Sequence, residues 1–581
     1  MKQGRFVLAV PRRRGVPPVV RRSASPDDVC GDNASFWTSD DTPEASLGTH
    51  GYLIGCVFSA QTARTVDAVP LPESESVQAA AKRLVRNYWG AYVAILPDPG
   101  RRTLALLVDP SGLFPVYRGM SQTHVVFSSD ACLVGEAVGD RLKVDWGALA
   151  LFLRYPELRQ KQACLAGVEE LTPGTLMVTA GDQESELPVW RAADYLPRGT
   201  EPSFSDAAAE LRELAIRTCA AWTDRFGPVA VATSGGVDSS FLCAALAAGH
   251  SDFGCITLAT SDSSGDESEY ARLLAEHLGA DFTRRVYDTT CYRPTACASA
   301  GRSRPGRKGF LTAVDALLAA GSAELGKAIV LDGNGGDNLF CFLHSAAPIV
   351  DRLRNEGPRA ALFETLPDMC CVTGCDVPTM LRATGKRLMG GHSKQNWAPD
   401  SRLLADAAIL EDSPVPLTPW HRLSTWRHPG KHDHLALIMR AQHHVHGFGP
   451  GPARFSPLMS QPLLEFCLGV PTWTWVTGGQ NRALARAAFA DLLPRSVLDR
   501  TSKAGPDSFI RSAFDRHRAV LRDLLLDGQL AEQGVIDRAA VEQAFTLETS
   551  RRGSLVYRLL DLVEAENWSR SWERAATIRA S

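Results

Sequence analysis

The stretch PVAVATSGGVDSSFLCAAL, residues 228–246, decides the fold of the C-terminal half of this chain. Its first residues form a short apolar run typical of a buried strand, and the apolar residues after SGGVDSS indicate a helix. Between them, Gly235 and Gly236 let backbone N–H groups approach an anion, and a helix N-terminus favours negative charge. Strand, glycine-rich turn and helix in this order predict a phosphate-binding loop.

The sequence around this loop indicates two kinds of architecture. After the loop, the strand patterns FGCITLAT, FTRRVYD and AIVLDG alternate with helical patterns such as DESEYARLLAEHLG, and beyond about residue 345 the chain is mostly helical. Such alternation predicts a parallel sheet with helices on both faces. Residues 5–181 instead contain short apolar runs separated by turns, which predict a sheet-rich region. We therefore predict a two-domain α/β protein, with domains 1–200 and 201–581.

The composition narrows the functional classes. The chain has 62 basic and 65 acidic residues and a net charge of −3, which does not indicate a nucleic-acid surface. The first apolar run, FVLAV, is too short for a signal peptide or a membrane span, so we expect a cytoplasmic protein without a membrane partner. The 14 cysteines are scattered and are expected to be free thiols. Cys370, Cys371 and Cys375 lack a CxxC pair, and we expect them to be packing residues.

The loop lacks the lysine and the spacing of GxxxxGK[ST] and carries Asp238 instead. A carboxylate beside a polyphosphate requires a cation, and Mg²⁺ accepts carboxylate and phosphate oxygens. A second glycine-rich turn, AIVLDGNGGDNLF at residues 328–340, presents Asp337. We predict ATP and Mg²⁺ as cofactors, Asp238 and Asp337 as metal ligands, and pyrophosphate as the leaving group. The residues predicted to lie along the ATP phosphates are Ser234, Gly235, Gly236, Asp238 and Ser239.

These two motifs carry a family resemblance. SGGVDSS resembles the pyrophosphate loop of ATP-pyrophosphatases, and with DGNGGDNLF it resembles the synthetase domain of the asparagine synthetase family. The segment ending in FSPLMSQPLLEF is similar to that family's Arg-x-Pro-Phe-Leu-Asp region, with Met459 in place of the Asp. NYWGAYVAIL, DPSGLFPVYR, VVFSSD and VEELTPG resemble parts of a glutamine-amidotransferase domain. The resemblance implies an N-terminal αββα domain and a C-terminal adenine-nucleotide α-hydrolase-like domain with a helical extension.

The resemblance also implies roles for single residues. Lys503 follows Arg500 by three residues in a closing motif, and it is expected to stabilise negative charge at phosphorus and on the tetrahedral oxyanion. Arg500 is expected either to assist Lys503 or to orient the loop. Backbone groups near Ala232 and Leu258 are expected to hold adenine. Gly333 and Asn334 of the second glycine-rich turn are expected to make further contacts with the nucleotide.

Two further positions have weaker assignments. Glu267 opens the helix after the second strand, where a carboxylate complements the helix dipole. The histidine-rich stretch from His421 to His446 is expected to form a helix along a substrate cleft, with His443 or His444 as a candidate proton acceptor. Packing and metal binding remain alternatives for these histidines.

The chain departs from the resemblance at its start. Class II glutamine amidotransferases use an N-terminal cysteine whose own α-amine acts as base. This chain begins Met1, Lys2, Gln3, and its first cysteine is Cys30. We therefore expect that glutamine hydrolysis has been lost and that the attacking amine belongs to the substrate.

Asn334 helps to choose the substrate. Asparagine synthetases place a glutamate at this position and β-lactam synthetases a tyrosine, whereas asparagine is not a base near neutral pH. A peptide α-amine, with a reference pKa of about 8, needs less help from a base. We predict a lasso-peptide cyclase that acts on a precursor peptide together with a leader-removing protease. A β-lactam synthetase and a glutamine-independent asparagine synthetase are the alternatives.

Overall fold

A computed structural model describes most of the chain. It covers residues 5–12, 35–39, 41–72, 74–98, 103–139, 142–180, 183–197, 202–260, 266–306, 311–389, 397–408, 428–442, 445, 447, 453–500, 507–547 and 553–578. The predictions for Cys30, His443, His444 and Lys503 lie outside the described residues.

The N-terminal half consists of two antiparallel sheets. Its strands are β1 (Phe6–Pro11), β2 (Ser35–Thr38), β3 (Glu44–Ser46), β4 (Tyr52–Ser59), β5 (Tyr88–Asp98), β6 (Thr103–Val108), β7 (Tyr117–Met120), β8 (His124–Ser128), β9 (Val168–Glu170), β10 (Thr175–Ala180) and β11 (Gln183–Pro188). One sheet has the order β2-β1-β8-β7-β9 and the other has the order β11-β10-β6-β5-β4-β3. The short strands β2, β3, β7, β9 and β11 were not predicted from the sequence.

A helix covers the outer face of each sheet. Helix α1 (Val77–Asn87) packs on β5, and α2 (Ala131–Val138) packs on β7 and β8. The Ser76 hydroxyl and the Asp130 carboxylate accept N–H groups at their N-termini, which fixes where each helix begins. A third helix, α3 (Trp146–Arg154), follows. Apolar side chains of both sheets share one core, so the layers are helix, sheet, sheet and helix, as predicted.

The C-terminal half contains one parallel sheet. Its strands are β12 (Val229–Ala232), β13 (Phe253–Thr260), β14 (Asp281–Tyr287), β15 (Ile329–Asp332) and β16 (Arg454–Phe455). Their order is β14-β13-β12-β15-β16. From β12 the chain adds β13 and then β14 on one side of β12, and it then returns to add β15 and β16 on the other side. Ligands bind at the carboxyl ends of strands where the order reverses. Here that position lies between β12 and β15, which carry the two predicted loops.

Helices surround this sheet and form the extension. They are α4 (Phe204–Phe226), α5 (Val237–Ala248), α6 (Ser268–Leu278), α7 (Leu311–Glu324), α8 (Gly336–Leu339), α9 (Ala347–Asn355), α10 (Pro358–Ala360), α11 (Leu366–Thr373), α12 (Val377–Met389), α13 (Pro429–Ala441), α14 (Gln461–Gly469), α15 (Ala483–Ala488), α16 (Arg495–Leu498), α17 (Asp507–Arg516), α18 (Arg518–Leu526), α19 (Gln529–Glu532), α20 (Arg538–Thr546) and α21 (Leu555–Ile578). None of these described helices is both long enough and apolar enough to cross a bilayer. The antiparallel sheets, the parallel sheet and these helices together confirm the predicted α/β class.

Buried contacts connect the two halves. The Trp222 ring of α4 lies edge-on to Phe58 of β4, with 4.7 Å between ring centroids, and the hydrophobic core is continuous from Phe6 to Leu493. A domain boundary near residue 200 stays a prediction, because burial does not stop there.

An ion cluster also joins the halves. Arg304 donates to the Glu170 carboxylate and to the backbone oxygens of Gln160 and Gln162, and Arg159 donates to the same carboxylate. The Glu170 side chain is only 4% exposed. Burial opposes its ionisation, but the two guanidinium groups outweigh burial and lower the pKa of Glu170 to about 2.

We expect this carboxylate to make stability depend on acid. Because its pKa falls from 4.5 to about 2 in the folded protein, Glu170 contributes about 3 kcal/mol of stability. That contribution is complete above pH 4.5 and is lost as the pH falls toward 2. Urea unfolding between pH 3 and 6 measures it, and in Glu170→Gln the slope of stability against pH should decrease in the acid range. An unchanged slope would contradict the assignment.

Candidate active site

The first loop joins β12 to α5. Gly235 has a φ of +64°, a conformation that favours glycine, and Gly236 is the N-cap of α5 without a side-chain cap. Ser239 ties the loop together, since its hydroxyl accepts the Ser234 N–H at 3.3 Å and donates to the Gly236 carbonyl at 3.2 Å. The first N–H groups of a helix have no acceptor within the helix, so the start of α5 favours an anion.

The second loop packs directly against the first. A Cβ on Gly333 would lie 2.8 Å from the Ser239 nitrogen, and a Cβ on Gly336 would lie 2.5 Å from the Asp238 Cβ. Gly335 has a φ of +89°, and the Met459 side chain covers it. Glycine is required here because the two loops approach each other with no room for a side chain.

This close approach makes Gly336→Ala informative. The added methyl group would push Asp238 away from Asp337, and we expect the Kd for ATP with Mg²⁺ to rise by about tenfold or more. Isothermal titration calorimetry measures the change. Gly385→Ala in α12, where a Cβ meets nothing within 4 Å, is the matched control and should leave the Kd unchanged. Equal Kd values for both variants would contradict the expected contact.

Asp238 and Asp337 contact the same nitrogen atom. Arg482 Nη1 lies 3.2 Å and 3.3 Å from the two Asp238 carboxylate oxygens, and it also donates to Asp337 Oδ1. The two carboxylates, contributed by loops on neighbouring strands, therefore lie within reach of a single cation. The predicted pair of acids is thus brought together, while its role as a metal site stays a prediction.

Arg482 was not predicted. It precedes α15 with φ 55° and ψ 34°, a conformation uncommon for any residue but glycine, and its guanidinium lies 4.9 Å from the centre of the Phe342 ring. Arg486 lies one turn along, and burial together with the charge of Arg482 lowers the pKa of its guanidinium to about 10. Arg482 falls within the closing motif GGQNRALARAAF, but nothing in its local sequence points to two distant aspartates.

The donor set suits a magnesium ion. Asp238 and Asp337 offer the hard carboxylate oxygens that Mg²⁺ prefers, and this ion usually takes only one or two protein carboxylates besides phosphate oxygens and water. No three histidine, cysteine or acidic side chains are grouped as metal ligands in the described parts of the chain. Asp238 and Asp337 would be the ligands from these two loops, with phosphate oxygens and water completing the coordination.

A buried carboxylate orders the second loop. Asp332, at the end of β15, accepts hydrogen bonds from Arg454 at 2.9 Å and from the Ser456 hydroxyl at 2.6 Å. It also accepts the Asn334 side-chain N–H at 3.1 Å and its backbone N–H at 3.2 Å. The amide of Asn334 is therefore oriented by Asp332, and an amide so held is not a base.

Helix α13 lies behind this loop. His434 is buried, and its Nε2 lies 2.8 Å from the Leu339 carbonyl oxygen. Burial and the nearby Lys431 charge lower the pKa of His434 well below its usual value, so its imidazole is neutral. Asn338 Nδ2 also donates to the Leu437 carbonyl at 2.6 Å. The described part of the histidine-rich stretch therefore contacts the second loop and α8 through hydrogen bonds.

The remaining predicted residues lie beside the first loop. Ala232 pairs with Ile256, and the Ile256 carbonyl accepts the Thr233 N–H at 2.8 Å. Successive residues of a strand direct their N–H and C=O groups alternately to the two sides of the strand. The N–H and C=O groups of Leu258 therefore point to the same side as those of Ile256, past the end of β12. Adenine was predicted to bind there. Arg500 donates to carbonyls of the loop and to Glu267, so Glu267 pairs with an arginine where a helix-dipole role was predicted.

Comparison with known protein families gives a match for the C-terminal half. The family model for asparagine synthase matches residues 210–444 and 453–570, more than half of the chain. The structure of a glutamine phosphoribosylpyrophosphate (PRPP) amidotransferase from B. subtilis with ADP and GMP is 11% identical, and the match covers 49% of this chain and 59% of that one, with a TM-score of 0.20. A structure of the allosteric regulatory enzyme of purine biosynthesis is 10% identical, covering 49% and 74%, with the same TM-score of 0.20. Scores this low carry no argument. Comparison with curated proteins gives no match.

The family match, together with the parallel sheet and its paired glycine-rich loops, indicates an ATP-binding synthetase domain. Within that class, the chain belongs to the asparagine synthase family. This family is one of ATP-dependent, amide-forming ligases, and residues 210–444 and 453–570 are the part of the chain that matches it.

Proposed function

We propose that this protein adenylates an Asp or Glu side chain of a precursor peptide and joins it to the N-terminal amine of the same peptide. The observation that carries the proposal is the shared contact of Asp238 and Asp337 with Arg482. Two carboxylates beside a glycine-rich loop and the N-terminus of α5 suit a cation on the β and γ phosphates, which leave together in adenylation.

The proposed reaction has two steps. A substrate carboxylate attacks the α-phosphorus of ATP, the bond to the bridging oxygen of the β-phosphate breaks, and pyrophosphate leaves beside residues 234–239. The peptide amine then attacks the acyl carbon, loses its proton, and AMP leaves. Loop N–H groups and the Ser234 and Ser239 hydroxyls bind the charge that develops on pyrophosphate. Magnesium held by Asp238 and Asp337 would neutralise part of that charge.

Two observations support an amine that belongs to the substrate. Asn334 is held by Asp332, and a peptide α-amine requires a weaker base than an amide nitrogen does. Burial raises the pKa of the Cys56 thiol and raises that of Cys164 to about 12, so these two cysteines of the N-terminal half are poor nucleophiles. Both points favour an amine within the substrate, as in a lasso-peptide cyclase, and we propose a leader-removing protease as its partner.

Mass spectrometry of products tests the proposal. The purified protein, ATP, Mg²⁺, a candidate precursor peptide and a leader-cleaving protease should give a core peptide that has lost one water, together with equimolar AMP and pyrophosphate. A peptide with ¹⁸O in the acceptor carboxylate should transfer one labelled oxygen to AMP, because that oxygen forms the bond to phosphorus.

The controls separate this function from its alternatives. Lys503→Ala should abolish dehydration, and Asp523→Asn, an exposed acid on α18, should not. If no peptide gave AMP but a small β-amino acid did, the protein would be a β-lactam synthetase. If aspartate with ammonium gave AMP instead, it would be an asparagine synthetase. Dehydration accompanied by ADP and phosphate would refute adenylation.

A further inference from the structure

Arg500 lies against the outer side of the first loop. Its Nη1 donates to the Ser234 carbonyl at 3.3 Å and to the Gly235 carbonyl at 3.1 Å, and its side chain is only 7% exposed. The guanidinium is therefore engaged with the backbone of the loop that we expect to hold pyrophosphate.

These two hydrogen bonds fix which way the loop N–H groups point. In a planar trans peptide, the C=O and the following N–H point in opposite directions. When Arg500 holds the carbonyls of Ser234 and Gly235, the N–H groups of Gly235 and Gly236 turn to the opposite side. Among the described residues, none accepts the Gly235 N–H, and the Gly236 N–H meets the Ser234 hydroxyl at 3.3 Å.

The start of α6 holds Arg500 in place. Its Nη2 donates to Glu267, whose side chain is 11% exposed, and its guanidinium stacks 4.3 Å from the centre of the Tyr270 ring. The Tyr270 backbone and Cβ also pack on Gly235, where any added side chain would collide with them. A planar guanidinium suits this site because it donates to several acceptors in one plane while one face stacks.

The backbone of Arg500 is fixed as well. Arg486 Nη2 donates to the Arg500 carbonyl at 3.0 Å, and Arg486 Nη1 donates to that of Leu498. The backbone just before the segment that contains Lys503 is therefore held in a fixed position relative to the first loop.

We propose that Glu267, Tyr270 and Arg500 form a clamp that presets the loop N–H groups for a pyrophosphate group, so that all three are positioning residues. The clamp binds no substrate atom; it keeps the loop from relaxing when the site is empty of anion, so that less ordering energy is spent on binding. This inference rests on the proposed function only in that the loop binds the leaving pyrophosphate.

Ligand selectivity tests the clamp. Calorimetric Kd values with Mg²⁺ should be measured for pyrophosphate, ATP and AMP in the full-length protein. Arg500→Lys and Glu267→Gln should weaken pyrophosphate and ATP by about 10- to 100-fold, since each removes one or more charge-assisted hydrogen bonds. AMP, which lacks the β and γ phosphates, should change by no more than about twofold.

Conservative and matched variants sharpen the test. Tyr270→Phe keeps the stacked ring and should bind pyrophosphate like the wild type, whereas Tyr270→Leu should not. The double variant Glu267→Gln, Arg500→Lys should lose no more than the worse single variant, because the two residues act as one unit. Arg272→Lys, an exposed arginine on α6 paired with Glu269 and Glu276, should have no effect.

The outcomes are distinct. Equal weakening of AMP and pyrophosphate would indicate a general structural role and overturn the clamp, as would unchanged pyrophosphate binding in Arg500→Lys. Wild-type protein that binds AMP but no pyrophosphate would instead refute the proposed function.

Discussion

Asp238→Asn is expected to lower the rate of AMP formation by about 10²- to 10³-fold while the protein remains folded. The substitution keeps the shape of the side chain against Gly336 but removes the charge that faces Arg482 and the predicted magnesium ion. AMP release measured by chromatography gives the rate, and thermal unfolding followed by circular dichroism reports the fold.

The partner and control variants define this result. Asp337→Asn should give a similar loss, and the double variant should lose much less than the product of the two, because both carboxylates serve one cation. Asp523→Asn should retain the wild-type rate. If Asp238→Asn kept a tenth of the activity or more, Asp238 would not be a ligand of an essential metal.

Arg304→Met should lower the free energy of unfolding by about 3–5 kcal/mol. The methionine keeps much of the volume but leaves the buried Glu170 carboxylate with Arg159 as its remaining arginine partner among the described residues. It also removes donors from the Gln160 and Gln162 carbonyls. Urea unfolding followed by tryptophan fluorescence measures the loss.

Two variants check the cause of this loss. Arg285→Met removes an arginine from the more exposed pair with Glu324 and should cost about 1 kcal/mol or less. Adding Glu170→Gln to Arg304→Met should lower the stability further, since the largely buried Arg159 guanidinium then loses its carboxylate partner. Equal costs at positions 304 and 285 would mean that the buried cluster contributes little.

Much of the architecture could be predicted from local sequence. The apolar strands β4, β5, β12, β13 and β15 were recognisable, and two glycine-rich turns after β12 and β15 had to meet once the strand order reversed between them. Strands β2, β3, β7 and β9 escaped prediction because their three or four residues do not lie in a longer apolar run, and β11 escaped because its residues are mostly polar and exposed. The predicted αββα and parallel-sheet halves are present, and family membership is confirmed by the match over residues 210–570.

The site was less predictable, and for a different reason. Asp238 and Asp337 sit in motifs, whereas Arg482 sits in an alanine-rich segment whose composition only indicates a helix. Glu267 illustrates the same limit: its position at a helix start fits a dipole role, but the arginine that it contacts is Arg500, which is distant in sequence. Contacts between distant segments have no local signal, so these partners emerge only from the three-dimensional structure.

The backbone conformation of Arg482 lowers the stability of the fold, whereas its side chain is needed at the candidate site. A left-handed conformation costs a residue with a Cβ about 1 kcal/mol that glycine would not lose, so a search for stabilising changes would select Arg482→Gly. The same change would leave two neighbouring acids without their shared guanidinium. Efforts to make the enzyme more heat-resistant should therefore leave this position alone, even though its geometry marks it as improvable.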